Sequence, residues 1–130
     1  TGRGEIDSRA MVRLKDIGQW MKRHGRSIYG CTQAPDEFPA PRDCRYTYNP
    51  EKKRLYLHIY AWPYKHIMLD NLAGKVEYAQ LLHDASEVKL EGLEAWQSSN
   101  WKFGKAETQT ITLPQVKPNV AVPVVELFLK

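Results

Sequence analysis

The chain has 130 residues, enough for one domain and too few for a complete (β/α)8 enzyme of about 250 residues. Hydrophobic residues at 42% and charged residues at 26% exclude disorder, collagen and coiled coil, and no apolar run approaches the ~20 residues of a membrane span. The net charge of +4 invites a nucleic-acid reading until its location is examined. Residues 1–30 hold seven basic against three acidic residues, and the remaining hundred hold twelve of each sign, so a basic leader precedes a neutral body.

The leader reads as a helix. Asp7 or Ser8 can accept hydrogen bonds from the first free backbone N–H groups, and Ala10, Leu14, Ile17 and Met21 recur at helical spacing on one face. Trp20 widens that stripe, while Arg9, Arg13, Lys15, Asp16, Lys22 and Arg23 fall mostly off it. Lys22, Arg23 and His24 place positive charge where the helix dipole favours it, and Gly25 is the expected left-handed stop. A solvated helix face and a cationic C-terminal turn therefore account for the charge without nucleic acid. Four dispersed histidines and two cysteines lack zinc-ligand spacing, so neither a metal nor a cofactor is expected. Cys31 and Cys44 are read as ordinary buried thiols, with a single bridge between them as the alternative in an oxidising compartment.

Residues 31–44 form a linker in which Pro35, Pro39 and Pro41 fix the backbone in an extended path across a surface. Short strands follow. The Asn49-Pro50-Glu51-Lys52-Lys53 turn separates strands at 45–48 and 54–60, a hairpin signal. Leu55, Leu57 and Ile59 alternate with Tyr56, His58 and Tyr60, so both faces of the second strand are expected to be covered. Further strands are predicted at 66–69, 75–82, 88–90, 108–113 and 124–129, broken at Asp70-Asn71, Gly74, His83-Asp84 and Gly92. Seven short strands after one helix indicate a mainly β fold, an antiparallel β-sandwich over residues 45–130. Pro114, Pro118 and Pro123 flank the last strands and point to edges or sheet crossings.

Catalytic signatures are absent from the pattern. Glu77, Glu87, Glu91, Glu94, Glu107 and Glu126 occupy alternating or turn positions expected to face solvent, and His83-Asp84 reads as a turn whose aspartate bonds its own backbone. No nucleophile elbow or phosphate-binding loop occurs. The fourteen aromatics offer the one ligand-binding alternative, a carbohydrate-binding module stacking sugar on Trp62, Trp96 or Trp101, the last two flanking a polar Gln97-Ser98-Ser99-Asn100 loop.

Specific words in the sequence add a resemblance. Thr1-Gly2-Arg3-Gly4-Glu5-Ile6, Arg13-Leu14-Lys15-Asp16-Ile17-Gly18-Gln19-Trp20 and Gly25-Arg26-Ser27-Ile28-Tyr29-Gly30 resemble the end of the catalytic domain in α-L-fucosidases of glycoside hydrolase family 29. In that family a Gly-rich loop leads into a helix of pattern R-L-x-x-I-G-x-W and then G-x-x-I-Y-G. The likeness continues through Tyr56-Leu57-His58, Trp62-Pro63, Leu81-Leu82-His83-Asp84, Leu113-Pro114 and residues 123–129. Arg26-Ser27 departs from the glutamate often found before the I-Y-G word.

The resemblance implies that residues 1–30 are the terminal loop and last helix of a truncated (β/α)8-like barrel, and that the sandwich is its C-terminal accessory domain. It further implies a parent that hydrolyses α-L-fucosyl linkages with retention, using an aspartate nucleophile and a glutamate acid/base upstream of Thr1. No catalytic residue is carried onto this chain, which is expected to be inactive alone. The implied partners are the upstream barrel and, for the parent, a fucosylated glycan, with no nucleic acid and no membrane. The implied location is periplasmic, extracellular or lysosomal. The helix stripe, without a barrel, is expected to meet the sandwich or a second copy of itself.

Overall fold

A computed structural model describes residues 8–63, 65–91 and 108–130. Helix α1 spans Ser8–His24 and runs into a single 3₁₀ turn, Gly25–Ser27. Strands follow at Cys44–Asn49 (β1), Arg54–Ile59 (β2), His66–Leu69 (β3), Val76–Leu81 (β4), Lys89–Glu91 (β5), Gln109–Thr112 (β6) and Val124–Leu129 (β7). All seven lie where alternation and turn signals predict them. One sheet has the order β1-β2-β7-β4, the other β3-β6-β5, and every pairing is antiparallel. The fold is mainly β, an antiparallel sandwich behind one helix.

The core between the sheets follows from period-two alternation. Leu55, Leu57 and Ile59 of β2, Val125 and Leu127 of β7, and Ala79 and Leu81 of β4 point inward to meet Ile67, Leu69, Ile111 and Leu113 from the second sheet. β4 passes into β5 through the turn at residues 82–86, where Leu81 N–H donates to the Ser86 carbonyl and Val88 N–H to that of Ala79. Chain reversal at the first hairpin uses Lys53 at φ 55° and the Asn49 side chain, which accepts from Lys52 N–H at 3.1 Å.

Three local expectations are corrected. Gly25 opens the 3₁₀ turn, and the first left-handed glycine after the helix is Gly30, at φ 75°. Of the two proline readings the crossing holds and the edge does not: Pro114, Pro118 and Pro123 lie on the passage from β6 in one sheet to β7 in the other, and both strands are interior to their sheets. Pro123 lies just outside β7, where its missing N–H is not required and its carbonyl still accepts from Ile59 N–H at 2.9 Å. The proline-rich segment is also not merely extended: Thr32 exchanges two backbone hydrogen bonds with Tyr48, and Phe38 turns into the main core.

Both cysteines are free. The antiparallel bridge between Thr32 and Tyr48 sets Cys31 beside Asn49, five residues along β1 from Cys44. At about 3.3 Å per strand residue that separation is roughly 16 Å, beyond the reach of a disulfide. Cys44 belongs to the core between the sheets, whereas Cys31 packs with Tyr56 and Val124 on the outer face.

Leu127 is fully buried at the centre of the four-stranded sheet. Leu127→Ala is expected to lower the unfolding free energy by about 2–5 kcal/mol, measured by urea denaturation.

Candidate functional site at the junction of helix and sheet

The register of the larger sheet puts Thr47, Tyr56, Glu126 and Gln80 in one row across the outer face, with His58 and Val124 in the next row. An exposed outer face would suit the polar alternation in the sequence. Instead the last turn of α1 and the 3₁₀ turn lie over it, which is why Tyr56, His58 and Glu126 are buried.

Glu126 is the correction of greatest weight. Expected at the surface, it is 4% exposed and accepts hydrogen bonds from three side chains. Gln80 Nε2 donates at 2.7 Å, the Tyr56 hydroxyl at 3.0 Å and Arg26 Nη2 at 3.2 Å. Burial pushes the Tyr56 phenol well above its ordinary range, and the neighbouring carboxylate pushes it further. Arg26 remains about half exposed, so its guanidinium keeps water while it compensates the buried charge.

Beside this cluster stand three histidines from separate segments. The His24 ring stacks on Trp20 with centroids 4.5 Å apart, and Trp20 Nε1 donates to the Ala121 carbonyl at 2.7 Å. His24 Nδ1 lies 3.0 Å from the Trp20 carbonyl, and the Ser27 hydroxyl donates to the His24 carbonyl at 2.6 Å. The Thr47 hydroxyl donates to the Ser27 carbonyl, so its oxygen accepts from His58 Nε2 at 3.1 Å. His83 Nε2 sits 3.4 Å from Asp84 Oδ2, and Asp84 Oδ1 accepts from Ser86 N–H. The turn reading of this pair holds, and the turn brings the two side chains together where a straight strand would separate them. Next to the helix end a cleft of about 400 Å³ opens between Gln19, Lys22 and Arg23 on one side and Asn119 and Val120 on the other.

Both carboxylate oxygens of Glu126 accept hydrogen bonds, two on Oε1 and one on Oε2, and no group of three or more histidine, cysteine or acidic side chains could hold a metal among the described residues. Trp62 is half-buried and donates to the Pro114 carbonyl at 3.0 Å. Trp96 and Trp101, together with Asp7, Glu94 and Glu107, lie outside the described residues. Sequence spacing could not reveal the histidine cluster, because its members are separated by 34 and 25 positions and meet only through the fold.

The chain is 28% identical over 105 residues to a plasma α-L-fucosidase of Rattus norvegicus, covering 80% of this chain and 21% of the relative. α-L-Fucosidase isoenzyme 1 from Paenibacillus thiaminolyticus superposes with a TM-score of 0.79 at 30% identity, over 98% of this chain and 28% of that one. The chain is similar to the C-terminal region of family 29 α-L-fucosidases. An α-L-fucosidase of that family from Bacteroides thetaiotaomicron shares the fold with a TM-score of 0.77 at 20% identity, again over 98% of this chain and 26% of its own. No family model matches the sequence. The chain thus spans about a quarter of the length of the fucosidases it matches.

Within this fucosidase-like domain, Glu126→Leu is expected to cost about 3 kcal/mol by leaving the buried Tyr56 and Gln80 donors without an acceptor. Arg26→Ala, at a half-exposed partner, is expected to cost about 1 kcal/mol. Chemical denaturation of the two variants checks the order.

Proposed function

We propose that this chain is a C-terminal accessory domain of an α-L-fucosidase-like glycoside hydrolase, structural and non-catalytic, that docks on an upstream catalytic barrel through helix α1. The carrying observation is the helix surface. Trp20 and His24, on one flank, pack toward the sheet side of the molecule, whereas Met11, Leu14 and Ile17 of the apolar stripe are exposed among the described residues. Leu14 and Ile17 are 52% and 58% exposed, with Ala10 and Met21 half-buried beside them. Covering a leucine or isoleucine fully stabilises by about 1.5–3 kcal/mol, a gain that an upstream domain would supply.

The short coverage of each fucosidase relative supports a missing larger part. In this reading the barrel carries retaining hydrolysis of terminal α-L-fucosyl linkages on fucosylated glycans, in the periplasm, extracellular space or lysosome. No helix among the described residues is long and apolar enough to cross a membrane. In isolation the same stripe pairs two copies of the chain.

The 130-residue chain is expected to give no turnover of a chromogenic α-L-fucoside, and measurable turnover overturns the non-catalytic assignment. Leu14→Lys combined with Ile17→Lys should change stability of the isolated chain in dilute solution by less than about 0.5 kcal/mol, since both side chains already meet water. The same pair should abolish concentration-dependent dimerisation in sedimentation equilibrium and sharply destabilise the longer protein. A longer protein indifferent to the two lysines would sink the docking role.

A further inference from the structure

We propose that His24, His58 and His83 form an acid-sensitive latch, which holds the last turn of α1 on the sandwich while the rings are neutral and releases it when they take up protons. Three separate segments converge to build it: the end of α1, the outer face of β2 and the turn after β4. His24 is fully buried, 6.2 Å from His83 between ring centroids, and its stacking partner Trp20 lies 6.3 Å from His58.

Two unpartnered ring nitrogens suit only the neutral form. His24 Nδ1 faces the Trp20 carbonyl and must carry the proton, so Nε2 presents a lone pair, and that buried nitrogen has no partner among the described residues. Buried His83 Nδ1 has none either. A proton added to either nitrogen creates a shielded N–H without an acceptor together with an unsolvated charge.

The surrounding charges reinforce this. Arg23 and His83 oppose a charge on His24, and His24 opposes one on His58, while Arg26 is paired with Glu126. Asp84 stands beside His83, and its carboxyl is held below the usual range by the Ser86 hydrogen bonds, so it offsets part of the charge on that ring. Of the other anions, Glu126 is already engaged by Arg26, Tyr56 and Gln80, and Asp16 lines the cleft together with Lys22 and Arg23. Protons reach the group through the cleft beside Lys22 and Arg23, which His24 lines.

Burial pulls both His24 and His58 below the ordinary value of 6.5, aided by the neighbouring histidines. A released histidine binds protons more readily than a docked one, so the latch is strongest above the ordinary histidine range and weakens as pH falls through 6.5 toward the lower docked values. This device belongs to the junction itself and does not depend on the identity of the domain that covers the apolar stripe.

The test is an NMR titration of the histidine rings in the 130-residue chain, with amide exchange measured at pH 7.5 and 5.5 and corrected for the intrinsic rate. His24 and His58 are expected to titrate below 6.5. Protection at residues 20–27 should fall on the order of tenfold at the lower pH, while residues 55–57 and 125–127 hold. His24→Phe keeps a ring against Trp20 without an ionisable nitrogen, and its protection should not respond to acid. Ordinary or raised titration of both rings, or unchanged protection at 20–27 in the unaltered chain, overturns the latch, and so does an undiminished acid response in His24→Phe. If that variant does not fold, the unaltered chain decides alone.

Discussion

A buried carboxylate organises the outer face of this domain. Glu126 sits on the central strand of the larger sheet and accepts from Gln80 on β4, Tyr56 on β2 and Arg26 on the turn beyond the helix. Burying a carboxylate alone would be prohibitive, and each donor offsets part of that cost. The consequence is positional. Because Arg26 must reach Glu126, the 3₁₀ turn is drawn onto the sheet, and the Ser27 carbonyl is brought to Thr47. The end of α1 follows, carrying Trp20 and His24 over β2.

That arrangement divides the helix between two environments. Its C-terminal turn is held by specific polar contacts: Trp20 to Ala121, the Ser27 hydroxyl to the His24 carbonyl, and Thr47 to Ser27. Its preceding turns hold their apolar stripe in water. The helix is thus anchored at one end, with Met11, Leu14 and Ile17 exposed along the rest. The histidine cluster lies at the anchored end, so chemistry at a few ring nitrogens bears on the pose of the whole helix.

Much of the architecture was legible because the relevant forces are local. Alternation in Leu55–Ile59, the Asn49–Lys53 turn and the spacing of Ala10, Leu14, Ile17 and Met21 report period and punctuation directly. What failed depended on which surface is covered. Glu126 alternates with inward-facing Val125 and Leu127 and therefore reads as solvent-facing, and nothing in its strand announces that the helix end will lie above it. Prolines 114 and 123 suggest edges or crossings because proline lacks a donor; each stands outside its strand on the passage between the two sheets, so the crossing holds and the edge does not. The histidines meet only in three dimensions.

The position of β7 has a consequence for how the chain acquires its structure. The strand at residues 124–129 is the last of the seven to be synthesised, yet it lies between β2 and β4 and pairs with both. Until it arrives, β2 and β4 have no shared neighbour, and Tyr56 waits for a carboxylate seventy positions later. Closure of such distant contacts carries a loop-entropy cost and makes assembly slow relative to helix formation. On a ribosome the helix and the first hairpin would therefore emerge long before their common platform exists, leaving two sheet edges open to wrong partners during that interval.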